Sequence, residues 1–450
     1  MKVRNMTEGK PLRLILSVAL PLMLGNVFQQ MYTVIDAQVL GRAEGYETLA
    51  ALGTCDWLNW LFFGLIQGLT MGFAIPMAQA FGANDEKTLR RTVGNSAVLG
   101  LVISVLLALV AILGVAPILS LLKVETELRP IATSYVRILF LALPVSMGYN
   151  LLAGTLRSMG DGKTPLYAMV IASCVNVALD YLFVVGFGWG VEGAAAATVI
   201  AQVSSCVFCF MKLKNFSMVR PEKADFVLRA GMVKKLISLG VPIAAQNMII
   251  AVGGLIILRV VNPMGAVFMA GYTSSSKLYG ILEIAAVSFG YATSAYAGQN
   301  YGAGKHERIF KGVHVAAVLG VLTALFITVS MIVFGKGIIA SFITGENPEE
   351  VQSAIGIGCE FLYIMSGALP VLYLLYVYRA ALQGMGNTMV PMLSGLAEFV
   401  MRTLAALILP GLIGYSGVFW AEALAWLGAD VILIPSYYVM IHKAKKKLAE

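Results

Sequence analysis

The chain has 450 residues, of which 59% are hydrophobic and only 12% are charged, and its mean hydropathy is +0.82. Polar side chains this scarce cannot cover a water-soluble globule, so the composition predicts an integral membrane protein and excludes a soluble globular domain. The net charge of +8 does not indicate nucleic-acid binding, because the basic residues are not gathered on one water-exposed face.

Twelve apolar runs are long enough to cross a bilayer, which takes about 20 residues per helix. The eighth run is interrupted by "SSSK" at 274–277, so its start is the least well defined. In chain order the predicted spans are 12–40, 50–80, 93–121, 131–156, 165–187, 193–212, 235–260, 266–298, 313–334, 354–380, 390–412 and 415–441.

The distribution of charge predicts the orientation of these spans. If the N-terminus is cytoplasmic, most of the 32 Lys and Arg residues fall in segments on the cytoplasmic side, with the largest group between residues 212 and 235. Positive charge is retained on the cytoplasmic side of membrane proteins. We therefore predict a multi-pass protein of the cytoplasmic membrane with both termini in the cytoplasm.

The sequence contains an internal repeat. "LRSMGDGKTP" at 156–165 recurs as "LQGMGNTMVP" at 382–391, and "AQAFGANDEKTLRRTV" at 78–93 recurs as "GQNYGAGKHERIFKGV" at 298–313. Each copy holds six spans, so both copies start on the same side of the membrane.

The repeat predicts an all-α membrane protein with twelve transmembrane helices in two pseudo-symmetric six-helix lobes around a central cavity. The predicted N-terminal lobe covers residues 1–212 and the C-terminal lobe covers residues 235–450. A polar cytoplasmic linker, residues 213–234, joins them.

The N-terminal half carries acids where they are costly. Asp180 lies in "NVALDYLFVVGFG", within the fifth span, and an ionised carboxylate in hydrocarbon costs about 2.5 to 3.5 kcal/mol. Asn176 precedes it by four residues, so the two share a helix face. Asp36 lies toward the outer end of the first span, and Thr198 is the nearest hydroxyl in the sixth. These four residues are the predicted ion-coupling and substrate-binding site.

The repeat serves as an internal control for this site. The corresponding positions of the second copy hold Ile257, Arg402 and Ala406 in place of the first-span acid and the Asn–Asp pair. Polar residues that merely fasten helices together would be expected in both halves of a symmetric body. The asymmetry therefore favours a functional site in the N-terminal half.

Three charged residues of the C-terminal half are predicted to lie in the cavity. Glu398 and Arg402 are spaced i, i+4, which predicts either a mutual ion pair or direct substrate contact. Glu283 is either an acid that attracts cationic substrates or a structural partner of Lys277.

These features together resemble one transporter family. The twelve-span plan, "DAQVLGR" at 36–42, the two repeated glycine motifs and "NVALDYLFVVGFG" are similar to the multidrug and toxic compound extrusion (MATE) family. The resemblance implies an ion-coupled antiporter that exports cationic or amphipathic organic compounds and is not an enzyme. It also implies that Asp36, Asn176, Asp180 and Thr198 match the proton site of the branch that couples through its N-terminal lobe.

The coupling ion and one rival function stay open at this level. No ATP-binding motif occurs and no cofactor is expected, so an ion gradient must supply the energy. Two neighbouring carboxylates favour a proton, whereas sodium at Asp36 and Asp180 is the alternative. The rival is a flippase for lipid-linked oligosaccharide precursors, whose cavity would need several Arg or Lys residues. The expected partners are small organic cations and membrane lipid, with no nucleic acid, and the chain is expected to be a monomer.

Overall fold

The computed structural model describes residues 4–44, 46–121, 129–344 and 347–449, and within these ranges the chain is helical and contains no strand. The helices of the first half are α1 (Pro11–Glu44), α2 (Tyr46–Gly82), α3 (Glu86–Leu121), α4 (Arg129–Leu141), α5 (Leu143–Ser158), α6 (Lys163–Asp180) and α7 (Gly190–Leu213). Those of the second half are α8 (Ala230–Val261), α9 (Ala266–Gly302), α10 (His306–Phe342), α11 (Pro348–Gly384), α12 (Met389–Ile413) and α13 (Ser416–Ala449).

The predicted all-α membrane fold is confirmed. Within the described ranges, 11 helices are long and apolar enough to span a membrane, and α4 with α5 forms a further span bent by 45°. The bend falls at Ala142, directly before a helix that carries Pro144 in its first turn, a position where proline is tolerated because no helical partner is lost. The predicted span at 131–156 is this bent pair.

The expected interruption of the eighth span does not occur. Helix α9 is continuous, and the Ser274 and Ser275 hydroxyls donate to carbonyl oxygens of their own helix, those of Ala270 at 2.8 Å and Gly271 at 3.0 Å. Serine side chains that bond back in this way leave no polar group unsatisfied, so the helix passes through the polar stretch.

The chain divides into two compact units. The N-terminal unit is built mainly from Leu20–Ala244, and the C-terminal unit from Met6–Ala19 together with the chain from Ala245 onward. The first turns of α1 therefore belong to the C-terminal unit and the first half of α8 to the N-terminal unit, a division that differs from the lobes drawn from the repeat. The predicted linker contains two short 3-10 helices, Ser217–Val219 and Lys223–Phe226, and packs as part of the N-terminal unit.

Small residues bring α2 and α8 into close contact inside the N-terminal unit. A Cβ added to Gly68 would lie 2.5 Å from the Cα of Ala244, and one added to Gly72 would lie 2.4 Å from the Cα of Gly240. Both helices thus present two small residues spaced by four, the arrangement that lets helix backbones approach in membranes. This contact positions the start of α8 on the N-terminal unit.

A buried N-terminal strap completes the C-terminal unit. The Met6 amide donates to Gln299 Oε1 at 2.7 Å, and Asn300 Nδ2 donates to the Met6 carbonyl at 3.1 Å. Lys305 Nζ donates to the Thr7 carbonyl at 3.1 Å. The backbone before α1 is therefore fixed by side chains from the α9–α10 turn.

We expect Gly72→Ala to destabilise the protein by about 1 to 3 kcal/mol, because the new methyl group would overlap the Gly240 backbone, which cannot rotate away. The measurement is the thermal unfolding midpoint of the purified protein in detergent.

Gly337→Ala is the matched control, since an added Cβ there meets no atom within 4 Å. It should leave the midpoint unchanged or raise it slightly, because alanine favours the helix. Equal midpoints for the two variants would contradict the close contact.

Candidate functional site

Asp36 is positioned by an apolar contact between three elements of the N-terminal unit. Val39 and Leu40 of α1 are buried against Val184, which follows α6, and Ala194 of α7. This packing fixes the outer part of α1 beside the end of α6. The carboxylate of Asp36 is held on the same stretch of α1, half-buried.

The Asp180 side chain has no solvent exposure at all and few hydrogen bonds. Asn176 Nδ2 lies 3.5 Å from Asp180 Oδ1 and 3.4 Å from Thr198 Oγ1, so the amide bridges α6 and α7. Among the described residues, Asp180 Oδ2 and Asn176 Oδ1 are buried oxygen atoms without a hydrogen-bond donor. The structure therefore brings Asn176, Asp180 and Thr198 together with two acceptors left unsatisfied.

Asp36 and Asp180 are close enough to repel each other. The carboxylate of Asp36 on α1 interacts electrostatically with that of Asp180 on α6. Tyr32, one turn before Asp36, interacts with both. All four predicted residues thus converge on one site in the N-terminal unit. Two acids in a buried site cannot both stay ionised cheaply, so the arrangement favours uptake of one positive charge.

Directly after Asp180 the helix changes geometry. Residues Tyr181–Gly186 form a π-helix, which widens the turn immediately beyond the carboxyl group. Such segments are rare and often mark functional sites. The chain then turns through Gly188 and Gly190, whose φ angles of +67° and +57° are in the left-handed region that glycine adopts without strain.

Aromatic stacking holds this outer turn in place. The ring of Phe183 lies 4.9 Å from that of Trp189 and 6.0 Å from that of Phe187. Gly193 packs beneath them, because an added Cβ would lie 3.0 Å from the Cβ atoms of both Phe183 and Trp189. The wide turn is therefore a packed element.

The C-terminal unit contains a separate buried charge network. Glu398 of α12 accepts from Arg379 of α11 at 2.8 Å and from Arg402 at 2.9 Å. Arg402 also pairs with Glu422 of α13 at 2.8 Å. The i, i+4 ion pair expected from sequence is present, and it is the centre of a chain of four charges.

Glu283 is placed differently from the structural pair considered above. Tyr376 donates to Glu283 Oε1 at 2.6 Å, and no described ion pair joins the acid to Lys277, whose side chain is exposed. Six residues separate the two along α9, which puts them about 120° apart around the helix, because one turn takes 3.6 residues. Glu283 is half-buried, and no ion pair of the described residues joins it to a cation.

Aromatic rings surround this acidic region of the C-terminal unit. Tyr279, one turn before Glu283, stacks on Trp426 with ring centroids 5.9 Å apart and interacts electrostatically with Glu283 and Glu422. Tyr376 also lies 6.0 Å below the guanidinium of Arg379. Carboxylates beside aromatic faces form a surface that suits organic cations.

Several members of these clusters were not found from the sequence. Tyr32 could have been identified, because it lies four residues before Asp36 on the same helix face. Arg379 lies on α11, whereas Glu422 and Asp430 lie on α13, so no spacing rule connects the arginine to the two acids. Asp430 is 6% exposed, and its Oδ1 has no hydrogen-bond donor among the described residues.

Comparison with known proteins identifies one family. The MatE profile matches residues 21–182 and 242–408, one stretch in each half of the chain. Two probable multidrug resistance proteins of Bacillus subtilis are similar over nearly their whole length. YoeA is 25% identical over 95% of this chain and 93% of its own, and YpnP is 26% identical over 100% of both.

Solved structures show the same fold. A transporter of the MOP superfamily from Pyrococcus furiosus superposes with a TM-score of 0.91 at 22% identity, covering 99% of both chains. That protein is described as having a binding pocket of reversed polarity, which suggests a different function for it.

We expect Arg402→Met to destabilise the protein by about 3 to 5 kcal/mol, because it would leave Glu422 without a cation in a buried site. Thermal unfolding in detergent measures the effect. Adding Glu422→Gln to this variant should recover part of the loss, since the uncompensated charge is then removed.

Arg259→Met is the control, because Arg259 is an exposed arginine of the same unit. It should unfold at the wild-type temperature. If Arg402→Met unfolded at that temperature too, the charge network would not stabilise the C-terminal unit.

Proposed function

The chain belongs to the MatE family of membrane transporters, and from this premise we propose that it exports cationic or amphipathic organic compounds in exchange for protons. It is a transporter and not an enzyme. Its relatives named as multidrug resistance proteins support a broad substrate range. Export would proceed by alternating access, in which the ion and the substrate bind preferentially to different states.

One observation carries the choice of the proton. Asp180 is fully buried, Asp36 repels it, and the oxygen atoms Asp180 Oδ2 and Asn176 Oδ1 have no donor among the described residues. A proton on Asp180 supplies the missing charge and turns an acceptor into a donor. Sodium is the alternative, but it needs several oxygen ligands converging at fixed distances.

Protonation of Asp180 is the proposed coupling step. Neutralising one carboxyl removes the repulsion between α1 and α6, so the protonated and ionised forms favour different packing of α1. One charge moving through 100 mV supplies about 2.3 kcal/mol, which corresponds to roughly a fiftyfold concentration gradient. A single proton per cycle is therefore sufficient for useful export.

The proposed substrate contacts include the C-terminal acid cluster. In the described part of the chain no ion pair joins Glu283 to a cation, and the acid lies beside Tyr279 and Tyr376, so it is suited to attract a positively charged substrate. Glu398 and Arg402 are engaged with each other and with Arg379 and Glu422. We assign them to holding the helices in register.

A flippase for lipid-linked oligosaccharide precursors is not favoured. Pyrophosphate recognition needs unpaired basic side chains, whereas Arg379 and Arg402, the cations of the described buried network, are both paired with acids. The surplus of carboxylates there would repel phosphate.

Location and assembly are parts of the same proposal. The positive charge between residues 212 and 235 supports a cytoplasmic position for this segment and for both termini, in the cytoplasmic membrane. We propose that the chain acts as a monomer surrounded by lipid, without a nucleic-acid partner.

In liposomes preloaded with a cationic dye, an inward proton gradient without sodium should release dye through the wild-type protein. Asp180→Asn should reduce this release to that of protein-free liposomes, because an amide cannot take up the proton. Asp36→Asn should reduce it as well. Dye fluorescence is the readout.

Asp85→Asn is the matched control, because Asp85 is an exposed cap at the start of α3 that bonds the Thr88 amide at 2.9 Å, a role an asparagine retains. It should release dye like the wild type. Release that follows a sodium gradient and ignores the proton gradient would overturn the assignment of the ion.

The orientation is tested with small tags at the N-terminus, after Asn215 and at the C-terminus. All three should be inaccessible to a membrane-impermeant reagent in intact cells and accessible after permeabilisation. Labelling of the tag after Asn215 in intact cells would contradict the topology.

A further inference from the structure

The segment between α7 and α8 exposes three consecutive apolar side chains. Phe226 is 42% exposed, Val227 61% and Leu228 45%, although the segment belongs to a compact unit. Exposed apolar runs of this kind mark interaction surfaces rather than ordinary loop residues. The question is what covers them.

The apolar run is held in place by hydrogen bonds between its backbone and the side chain of Asn95. Asn95 Nδ2 donates to the carbonyl oxygens of Asp225 at 2.8 Å and Val227 at 3.2 Å, and the Arg229 amide donates to Asn95 Oδ1 at 3.0 Å. Gly94 provides the room, since an added Cβ would lie 2.4 Å from the Asp225 carbonyl oxygen. These bonds fix the backbone of the segment, so its apolar side chains are held in exposed positions.

The position of the apolar run along the membrane normal follows from α3, to which the run is hydrogen-bonded. Leu101, six residues after Asn95, is 57% exposed on a span apolar enough for hydrocarbon. At 1.5 Å per residue, the apolar run lies roughly 9 Å below this lipid-facing leucine. That distance places it at the headgroup layer, because the headgroups extend several ångströms beyond the hydrocarbon.

The charges around the apolar run are predominantly positive. The acid Asp225 is buried and lies within 3.9 Å of Arg90 and Arg91, so its charge is compensated. Glu222 remains as an exposed acid. The exposed basic residues of the segment are Arg220, Lys223, Arg229, Lys234 and Lys235.

We propose that residues 220–235 form a docking surface for anionic lipid headgroups. The side chains of Phe226, Val227 and Leu228 insert among the headgroups, and the basic residues around them bind lipid phosphates. Apolar insertion combined with positive charge is the usual pattern of interfacial elements that select anionic lipid. This surface lies apart from Asp180, so it does not depend on the proposed transport function.

A nitroxide at position 227 tests the insertion. Val227, or Ala224 as the matched exposed position in the same segment, is replaced by a ketone-bearing residue to which the label is coupled, leaving the native cysteines intact. The protein is placed in nanodiscs of phosphatidylcholine, alone or mixed with phosphatidylglycerol. The label at 227 should be relaxed more by oxygen than by an aqueous nickel complex, and the label at 224 the reverse.

Anionic lipid should increase the contrast at position 227. Replacing Lys223, Arg229, Lys234 and Lys235 with glutamine should abolish this increase and lower the preference for phosphatidylglycerol by about fivefold per removed charge.

Two results would overturn the proposal. Equal exposure of both labels to the nickel complex would mean that the surface is free or awaits a soluble partner. Insertion that is identical in both lipid mixtures would reduce it to an apolar contact without selection of anionic headgroups.

Discussion

The carboxyl group of Asp180 is fully removed from water, and no ion pair of the described residues joins it to a cation. In the N-terminal unit, Arg90 and Arg91 form ion pairs with Glu222 and Asp225, in the segment before α8. In the C-terminal unit, Arg379 and Arg402 both pair with the buried Glu398. In the mechanism proposed above, the compensating charge at Asp180 is supplied by the incoming proton. The amide of Asn176 lies one turn before this carboxyl group, and the π-helix follows it directly. Asp36 lies on the neighbouring helix α1.

The sequence specified the membrane fold and the core of the site through local rules. Hydropathy located the spans, and the i, i+4 rule paired Asn176 with Asp180 and Glu398 with Arg402. The rest depended on tertiary packing. Arg379 meets Glu398, 19 residues away, across the turn between α11 and α12. The π-helix after Asp180 has no composition signal, and Phe183 within it packs on Gly193, which lies on another helix. Pro144 lies directly after the bend at Ala142, but a proline in the sequence does not by itself indicate whether a span bends or continues straight.

The exchange of helix ends between the two units was also beyond sequence reasoning. A uniform apolar helix such as α1 gives no hint that the segment before it bonds to a residue almost 300 positions later. In each unit an asparagine side chain bonds to the backbone of a segment that precedes a helix. Asn95 bonds to the segment before α8, and Asn300 bonds to the segment before α1. Asparagine suits this task, because its amide can donate to a backbone carbonyl and accept from a neighbouring donor at once.

The strap that anchors Met6 has a consequence for biosynthesis. Met6 meets Gln299 across a separation of 293 residues. Translation at about 5 to 20 residues per second leaves the start of α1 without its partner for roughly 15 to 60 s. During that time Ile15, Val18 and Ala19, which are fully buried in the finished protein, have nothing of their own unit to pack against. The N-terminal unit can pack its core during translation. The C-terminal unit must bind Met6–Ala19, a segment that was synthesised long before the rest of that unit. A nascent chain released before Gln299 therefore carries an uncovered apolar end, the kind of feature that quality-control proteases use to recognise unfinished proteins.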